Sequence, residues 1–496
     1  MQETRADFIL TLPEGCYIVY NDKFKEFYVL GRCAVLTISF HDQKPLYEQL
    51  YNHIRKEIES GKIGPGDKLP SKRTLSAHLK ISVVTVETAY SLLSAEGYIY
   101  SVPGSGYYAE RLPGPFSGEK GHIAIPQKPA EREFRYDFRT NRVDTELFPF
   151  SVWARLSREL LSSGGAELLQ SCSGKGVYTL RQAIAEHLRS FRGIEAQPEQ
   201  IVIGAGGEYL TGLLVQLLGR DKVYGVEEPG YVKTHRVFSA NCHQVAPIAL
   251  DSSGAMPESL LAQGVQVAHL TPSHHFPLGT VMPAARRHEI LAWASTAEDR
   301  FIIEDDYDSD FRFSGKPVPA LQSLDCANRV IYLNTFTKSL APSMRIGYMV
   351  LPLNLLERFD EKLGFYACTV PVFEQLILAE FMRRGHFERH INRMRKLYLK
   401  RRDYFIKALG ASRLSAVLEI KSTNAGMHLL LSSRCGLDEG EMLARAAAED
   451  VRVYGLSEYY SFGGCYTGPG SVIAGYSGMS TEQLDQGIAA LERAWL

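Results

Sequence analysis

The chain has 496 residues, a length that exceeds one ordinary domain and favours about three. Its 45% hydrophobic content is normal for a soluble globular protein, and its net charge of −1 predicts no class of partner, so any nucleic-acid binding must depend on a local positive field. The eight cysteines are scattered without a C-x-x-C pair, which argues against a zinc site or a disulfide framework and favours a reducing cytoplasm. No segment reaches the roughly 18 uncharged apolar residues of a membrane span.

Residues 1–35 form an N-terminal extension that we assign to no domain. Charged side chains such as Glu3, Arg5 and Asp7 lie around its short apolar runs, a pattern that does not fit a signal peptide.

Residues 36–111 show the pattern of a winged helix-turn-helix, an α+β DNA-binding domain. Apolar residues recur every four positions between Pro45 and Ser60, and Ser71 and Ser82 are placed as N-caps of two further helices. The turn at residues 103–106, with the sequence Pro-Gly-Ser-Gly, separates two short aromatic runs and predicts a β-hairpin. The longer helix after Ser82 is the one expected to enter the major groove.

Candidate DNA contacts come from the loop before the second helix, from the start of the third helix and from the wing. They are Lys68, Ser71, Lys72, Arg73, Lys80, Ser82, Val83, Thr85 and Ser105. The basic members can neutralise phosphates, whereas Val83 and Thr85 can contact base edges such as a thymine methyl group. The alternative of an inactive winged helix used only for protein contacts stays open.

Residues 112–133 are rich in proline and glycine, which predicts a semi-extended linker of about twenty residues. From residue 134 to 496 short apolar runs alternate with helical patterns, as in an α/β domain with a buried parallel sheet. We place its large part at about residues 170–375 and a small C-terminal α+β lobe at about 376–496. The expected strands include residues 201–203, 265–268, 301–303 and 330–333, and a long basic helix is expected at 387–409.

The large part contains residue types suited to binding the ring of pyridoxal phosphate (PLP). Lys338 offers an amine for a Schiff base. Asp305 follows a buried strand, where its carboxylate needs a positive partner, and a pyridinium nitrogen is one. Tyr307 is placed to reach a phenolic oxygen, and Tyr231 is placed to stack on the ring.

A second set of residues suits the phosphate of the same cofactor. It consists of the hydroxyl groups of Thr335 and Thr337, the guanidinium of Arg345, and the turn Gly206-Gly207 that begins a helix. Each feature alone has an ordinary explanation, such as a solvated loop or a tight turn, but their order and spacing along one α/β domain favour a cofactor pocket. The acidic run after Asp305 lacks EF-hand spacing, so we expect no metal site.

Six motifs resemble those of a known family. They are Leu69-Pro70-Ser71-Lys72-Arg73, Ala95-Glu96-Gly97-Tyr98, Glu228-Pro229-Gly230-Tyr231, and the segments 271–283, 304–309 and 335–345. Residues 135–496 resemble the fold-type I aminotransferases, and the chain from about Leu36 resembles the MocR/GabR-like subgroup of the GntR-family transcriptional regulators. The resemblance implies that Lys338 forms the PLP Schiff base, with Asp305 on the ring nitrogen, Tyr307 on the phenolic oxygen, Tyr231 stacked on the ring, and Arg345 and Thr335 on the phosphate.

The same resemblance implies a function. We expect a cytoplasmic bacterial regulator that binds a double-stranded DNA operator with two half-sites, as a head-to-tail homodimer with swapped heads. It would sense an amine, an amino acid or PLP itself through an aldimine at Lys338 and control transcription of metabolic genes. Sustained transaminase turnover is not expected, although residual activity is compatible with the site.

The chain departs from the family pattern at two places. Val83 occupies a position where GntR-type recognition helices commonly carry arginine. No arginine lies in residues 472–477, where many fold-type I aminotransferases bind the substrate carboxylate, so Lys233 is the remaining candidate for binding the effector. Regulators of this group that sense γ-aminobutyrate are expected to carry arginines after the stacking tyrosine and near residues 453–455, where this chain has Lys233 and Leu456-Ser457-Glu458. The effector therefore need not be γ-aminobutyrate, and another amino acid, a polyamine or PLP itself stays open. Two alternatives stay open: an aminotransferase with a vestigial head, and a vitamin B6 regulator for which PLP is the signal.

Overall fold

The structure is a computed structural model. It describes residues 44–112, 132–140, 142–313, 319–421, 426–464 and 466–496, together with Leu36, Ile38, Phe40, His41 and the backbone of three strands before residue 31. The chain divides into two units, Met1–Ala130 and Glu131–Leu496, and each has a hydrophobic core of its own. The predicted linker at residues 112–133 lies almost wholly outside the described residues.

The first unit begins with an antiparallel sheet in the extension for which sequence analysis gives no structure. Its strands are β1 (Ile9–Leu12), β2 (Cys16–Asn21) and β3 (Glu26–Leu30), with β2 in the middle. The β-branched and aromatic residues of β2 and β3 are the signal in the sequence that favours strands there.

The rest of the first unit is the predicted winged helix-turn-helix, and its elements are confirmed. They are α1 (Leu46–Glu59), α2 (Lys72–Leu79), α3 (Val83–Ala95), β4 (Ile99–Val102) and β5 (Gly106–Ala109), with β4 and β5 paired as the hairpin. The apolar face of α1 packs against that of α3, and Leu50, Ile54, Val86, Tyr90 and Leu93 are fully buried between them. Burying these side chains is what holds three short helices together, because helices of this length are marginal alone.

Two serine caps set where α2 and α3 begin. Ser71 Oγ accepts a hydrogen bond from the Thr74 amide at 3.2 Å, and Ser82 Oγ accepts one from the Thr85 amide at 3.1 Å. Both caps were predicted from the sequence. The Tyr90 hydroxyl donates to the Pro70 carbonyl at 2.9 Å, which links α3 to the turn before α2.

The second unit begins with a short strand, β6 (Tyr136–Asp137), and continues as alternating strands and helices. The further strands of its large part are β7 (Ile201–Gly204), β8 (Val223–Glu228), β9 (Gln244–Asp251), β10 (Gly254–Ala255), β11 (Val267–Leu270), β12 (Phe301–Asp305), β13 (Val330–Thr335) and β14 (Gly347–Val350). The helices are α4 (Phe150–Ser163), α5 (Tyr178–Arg192), α6 (Gly207–Leu218), α7 (Val232–Asn241), α8 (Pro257–Ala262), α9 (Ala284–Ser295), α10 (Phe336–Ser339), α11 (Leu356–Leu363), α12 (Val372–Arg383) and α13 (His386–Ala411). The predicted strands at β7, β12 and β13 begin at the expected residues, whereas β11 begins at Val267, two residues after its expected start.

An eight-stranded sheet is the centre of this unit, in the order β10-β9-β8-β11-β12-β13-β14-β7. The strands β9, β8, β11, β12 and β13 run parallel, and β14 is antiparallel to both of its neighbours. The carboxyl ends of parallel strands meet at one edge of a sheet, where α/β proteins form their ligand crevices. Since β12 and β13 are neighbours, the residues that follow them lie side by side at that edge.

The boundary predicted near residue 375 lies inside α12, and α12 packs on α4 and α5 of the large part. Phe381 of α12 and Phe387 of α13 belong to the core of the large part. Phe405 and Leu409, near the other end of α13, belong to the core of the small lobe. In the structure the small lobe therefore begins within α13.

The small lobe is the predicted α+β structure. It contains β15 (Leu418–Lys421), β16 (His428–Ser433), α14 (Glu439–Ala448), β17 (Val451–Arg452), β18 (Tyr454–Gly455), β19 (Ser471–Gly475) and α15 (Thr481–Trp495). A four-stranded sheet runs in the order β15-β16-β19-β18, and β6 pairs in parallel with β17. Phe138, just after β6, stacks on Phe405 with ring centroids 5.7 Å apart. The segment around residue 138 is thus part of the lobe although it precedes the large part in sequence.

Candidate functional site

The carboxyl edge of the large sheet contains a cavity of about 440 Å³. Asp305 is the last residue of β12, its Cα partner on β13 is Leu333, and Lys338 follows β13 on the short helix α10. The predicted site residues that line this cavity are Lys338, Asp305, Tyr307, Tyr231, Thr335, Thr337, Arg345, Gly207 and Lys233. Gly206 lies next to it, in the turn that precedes α6. The structure therefore brings the predicted cofactor residues together at one edge of the sheet.

Lys338 has the electrostatic character of a reactive amine. Its half-buried side chain loses hydration, and this burial lowers the pKa of the amine to about 8. Near neutral pH a larger fraction of Lys338 is therefore uncharged than of an exposed lysine. An uncharged amine is the form that attacks a carbonyl carbon.

Asp305 is paired with a buried histidine that sequence analysis did not identify. His269 Nε2, on the neighbouring strand β11, lies 3.4 Å from Asp305 Oδ2. Glu227, at the end of β8, is also buried here and accepts hydrogen bonds from the Thr271 amide and hydroxyl, and burial raises its pKa to about 7. Both acids line the cavity, and Asp305 is the more exposed of the two, with 23% of its side chain accessible.

Tyr307 lies beside a second buried pair. Its hydroxyl is 3.2 Å from His274 Nδ1, and the same nitrogen is 2.7 Å from Asp308 Oδ2. Burial, with the charge of Asp308 acting in the same direction, raises the pKa of Tyr307 well above its ordinary value. The phenol therefore keeps its proton and is able to donate a hydrogen bond into the cavity.

The turn before α6 and the loop after α10 form a cradle with a positive side. Gly206 has φ of 93°, a backbone conformation that favours glycine, and a Cβ at this position would lie 2.7 Å from Arg345 Nη2 and displace it. The first amides of α6 lack partners within the helix and, with the helix dipole, favour an anion. Thr335 and Thr337 add hydroxyl groups to the lining of the same cavity.

A glutamate that sequence analysis did not identify lies in this cradle. Glu208, the second residue of α6, bonds to both Lys233 Nζ and Arg345 Nη2 at 2.6 Å. Although partial burial acts against ionisation, the hydrogen bonds from Lys233 and Arg345 lower the pKa of Glu208 to about 2. Its position directly after the predicted Gly206-Gly207 turn was the only signal available in the sequence. Lys233, predicted to bind an effector, is thus ion-paired in this structure.

Tyr231 lies at the N-terminus of α7 and is 52% exposed. Its ring makes an edge-to-face contact with Phe276, with centroids 6.0 Å apart. An exposed aromatic face at the cavity is available for stacking on a planar ligand.

These residues fit PLP. The amine of Lys338, the carboxylate of Asp305, the phenol of Tyr307 and the anion cradle are each of the type that one part of the cofactor requires. The glycine at residue 206, where a Cβ would fill the cradle, supports the fit at the phosphate end. Among the residues that the structure describes, no group of three or more His, Cys, Asp and Glu side chains is arranged to hold a metal ion.

In the first unit, the start of α3 presents an apolar surface. Val83 and Val84 are 42% and 70% exposed, although both are large aliphatic residues. Ser82 and Ser71 use their hydroxyl groups as N-caps, and Thr85 Oγ1 lies 2.8 Å from Ser82 Oγ. The exposed parts of these two side chains are accessible to a partner.

The predicted basic contacts of this unit differ in how much of their charge is available. Lys72 Nζ is 2.6 Å from Glu87 Oε1 on α3 and lies over the ring of Tyr107. Arg73 and Lys80 are exposed, and Lys68 is half-buried where its strand-like segment meets Tyr108. In the wing, Ser105 Oγ is 2.5 Å from the Tyr108 hydroxyl.

Comparison with protein families divides the chain in the same way. Residues 46–108 match "Bacterial regulatory proteins, gntR family", and residues 137–491 match "Aminotransferase class I and II". A crystal structure of Pyrococcus horikoshii kynurenine aminotransferase is similar to the second unit, with a TM-score of 0.64 and 26% identity over 73% of this chain and 91% of that one. Fold and site thus define a winged helix-turn-helix joined to a fold-type I aminotransferase domain.

Two curated relatives share this architecture over nearly their whole length. The "Uncharacterized HTH-type transcriptional regulator YdeL" of Bacillus subtilis is 40% identical over 91% of this chain and 97% of that protein. The "Probable rhizopine catabolism regulatory protein MocR" of Rhizobium meliloti is 32% identical over 91% of this chain and 94% of that protein. The chain belongs to the MocR/GabR-like group of GntR-family transcriptional regulators. Among its described helices, none combines the length and apolar character that crossing a bilayer requires.

Proposed function

We propose that this protein regulates transcription of metabolic genes in the bacterial cytoplasm by sensing an amine, an amino acid or PLP at Lys338. One observation carries the proposal: a single chain contains a winged helix with exposed apolar and basic side chains and a cavity lined by Lys338, Asp305 and Arg345. A working aminotransferase does not need a winged helix, and an ordinary DNA-binding domain does not need a cavity of this kind.

Each residue of the cavity has a defined task in this proposal. PLP, when bound, supplies an aldehyde that reacts reversibly with amines. Lys338 holds it covalently, and its pKa of about 8 keeps part of the amine uncharged near neutral pH. Asp305 favours a protonated ring nitrogen, Tyr307 donates to the phenolic oxygen, and the Gly206-Gly207 turn binds the phosphate with Arg345, Thr335 and Thr337.

For the DNA-binding head we propose that α3 enters the major groove, with Val83 and Thr85 against base edges. Lys68, Ser71, Lys72, Arg73, Lys80, Ser82 and Ser105 would contact the sugar-phosphate backbone around it. Because Lys72 is paired with Glu87, part of the positive charge that one head offers to phosphates is neutralised. A homodimer, head-to-tail with heads exchanged through residues 112–133, would offset this by placing two heads on two half-sites at high effective concentration.

Sensing requires that the effector bind two arrangements of the dimer with different affinity. An amine that took the place of the Lys338 amine on the cofactor would release Lys338 and would change the charge and the occupancy of the cavity. The resulting closure of the small lobe over the large part is the step we propose to alter the presentation of the two heads.

The test is footprinting on the DNA upstream of the protein's own gene. The protein is used without PLP, with PLP, and with PLP plus a panel of amino acids and amines. Protection of two spaced half-sites that changes with one added compound is the expected result. A change with PLP alone would identify the cofactor itself as the signal, and absence of protection at every concentration would overturn the proposal.

A second candidate, an aminotransferase with a vestigial head, is favoured by the cavity itself, because a working aminotransferase would also need Lys338, Asp305 and Tyr307 together in its lining. The pKa of about 8 at Lys338 suits an amine that accepts and returns a proton during turnover near neutral pH. Sustained conversion of an amino donor and a keto acid, together with no footprint, would support this alternative.

A further inference from the structure

The cations around the cavity are not equally available to a ligand. The lysines and arginines in its lining are Arg139, Lys233, Lys338 and Arg345. Lys233 and Arg345 both bind the same carboxylate of Glu208 at 2.6 Å. Because these bonds keep Glu208 ionised, with a pKa of about 2, the acid neutralises part of their charge at every physiological pH.

Arg139 is different. Its side chain is exposed at the cavity, and within the described parts of the chain it forms no ion pair with a carboxylate. Burial raises the pKa of Tyr454, and the charge of nearby Arg139 acts in the opposite direction. The Tyr454 hydroxyl also lines the cavity and donates to Asp137 at 2.9 Å. A guanidinium charge thus lies at the cavity, and no carboxylate among the described residues pairs with it.

Arg139 lies beside the segment 472–477, in which no arginine is present. The amide of Gly475, the last residue of β19, donates to the Phe138 carbonyl at 2.8 Å. A Cβ at Gly475 would lie 2.2 Å from the Arg139 carbonyl oxygen, so this glycine allows the segment carrying Arg139 to pack directly against β19. The strand that lacks an arginine therefore has Arg139 as its neighbour.

We infer that Arg139 binds the carboxylate of the effector, and that the effector is an amino acid and not a simple amine or polyamine. This inference rests on the proposed function and narrows its ligand class. A guanidinium binds a carboxylate through two parallel N–H···O bonds, which a lysine ammonium does not reproduce. Lys233 keeps its ion pair with Glu208, next to the cradle.

The experiment measures binding to the PLP-loaded full-length protein by calorimetry. The probes are three amino acids and the amines that lack only their carboxylate: glycine and methylamine, β-alanine and ethylamine, γ-aminobutyrate and propylamine. At least one amino acid is expected to bind more tightly than its amine. Arg139→Gln should reduce this preference roughly 10- to 100-fold, as expected for loss of a charge-assisted pair, and leave the affinity for the amine unchanged.

Two further variants make the result specific. Arg139→Lys should recover part of the preference because the charge returns without the bidentate geometry. Arg142→Gln is the matched control, since Arg142 is an exposed arginine of the same segment outside the cavity lining, and it should retain the wild-type preference. Arg139 is itself exposed, so its replacement should leave the thermal unfolding midpoint unchanged.

The inference is overturned if no amino acid binds better than its amine, or if Arg139→Gln weakens both members of a pair equally. It is also overturned if Lys233→Gln removes the preference and Arg139→Gln does not. Failure of the proposed function has a different signature, in which a carboxylate preference dependent on Arg139 is present but no probe changes the footprint on DNA.

Discussion

The cavity at Lys338 and the surface of the winged helix that we propose to face DNA differ in how their polar and apolar side chains are exposed. In the cavity, charged groups are brought together and partly removed from water, so the pKa values of Lys338, Glu208 and Tyr307 all depart from their ordinary values. On the head, Val83 and Val84 are exposed apolar residues. The residues of a cofactor pocket are fixed by the chemistry of the cofactor, whereas those of a DNA-binding surface depend on an operator sequence outside the molecule.

The comparison predicts the largest effect for Lys338→Ala. Loss of the only side chain that we expect to bind PLP covalently should abolish attachment of the cofactor. The measurement is the mass of the protein after PLP loading and borohydride reduction, which should show no added cofactor in the variant.

Lys222→Ala is the matched control, because Lys222 lies directly before β8, pairs with Asp299 and does not line the cavity. It should carry one cofactor per chain, as we expect of the wild type. A reduced adduct that persists in Lys338→Ala would mean that another amine serves the pocket, and the site as described would be wrong.

A smaller effect is expected from Asp305→Asn. The amide keeps the size of the side chain but removes the negative charge that favours a protonated ring nitrogen. Losing a partly buried charged interaction of this kind costs about 1.5–3 kcal/mol, which corresponds to roughly 10- to 100-fold weaker PLP binding. The dissociation constant for PLP, measured by fluorescence titration of the apoprotein, checks this value.

Asp299→Asn provides the comparison at the other end of the same strand. Asp299 lies before the opposite end of β12 and forms a surface pair with Lys222 at 3.4 Å. Such pairs contribute about 0–1 kcal/mol to stability and none to a distant ligand, so PLP affinity should not change. Equal weakening by both substitutions would show that Asp305 acts through the fold and not through the cofactor.

The pH dependence of PLP attachment should distinguish Lys338 from an ordinary lysine. Attack requires the uncharged amine, and burial lowers the pKa of Lys338 to about 8. Below that pH the uncharged fraction falls roughly tenfold per pH unit, and above it the fraction is nearly constant. The rate of attachment to the apoprotein, followed by stopped-flow absorbance, should therefore rise up to about pH 8 and then level off. A rate that continues to rise to about pH 10 would indicate a fully hydrated lysine.

Parts of the site that follow a recognisable strand could be predicted from the sequence, and parts that depend on several distant segments could not. Lys338 and Asp305 could be predicted because each follows a recognisable buried strand, and adjacent parallel strands bring their ends together. Glu208 was missed because an acidic residue beside an expected phosphate cradle contradicts the simple charge pattern. Its pairing with Lys233 and Arg345 depends on three separate segments.

The role of Arg139 could not be predicted from the sequence, for a different reason. The segment that carries it pairs with β17 and β19, more than 300 residues later in the chain, and no local pattern encodes such a contact. In the head, by contrast, the helices and hairpin follow from local periodicity, serine caps and turn residues, and these were all predicted. The sheet of β1, β2 and β3 remained unassigned because its short runs gave no expected core to pack against.

The smallest predicted effect concerns the head and tests whether its limited charge restricts DNA binding. Glu87 pairs with Lys72 at 2.6 Å and places a negative charge on α3, the helix we expect in the groove. Glu87→Gln should release Lys72 for a phosphate and remove repulsion from the DNA. We expect roughly 2- to 5-fold tighter binding per head, equivalent to about 0.5–1 kcal/mol, and a salt dependence steeper by about one phosphate contact.

Glu57→Gln is the control, because Glu57 pairs with Lys62 at 2.9 Å, away from the predicted contacts, and its loss should not affect binding. Gel-shift titrations at several salt concentrations measure both variants on the same operator fragment. Weaker binding by Glu87→Gln would mean that Glu87 holds Lys72 in its binding position, since a fixed cation loses less side-chain entropy on contact. In that case an acidic residue would hold a cation in place in the head, as Glu208 holds Lys233 and Arg345 at the cavity. The two regions would then differ only in how far their side chains are exposed to solvent.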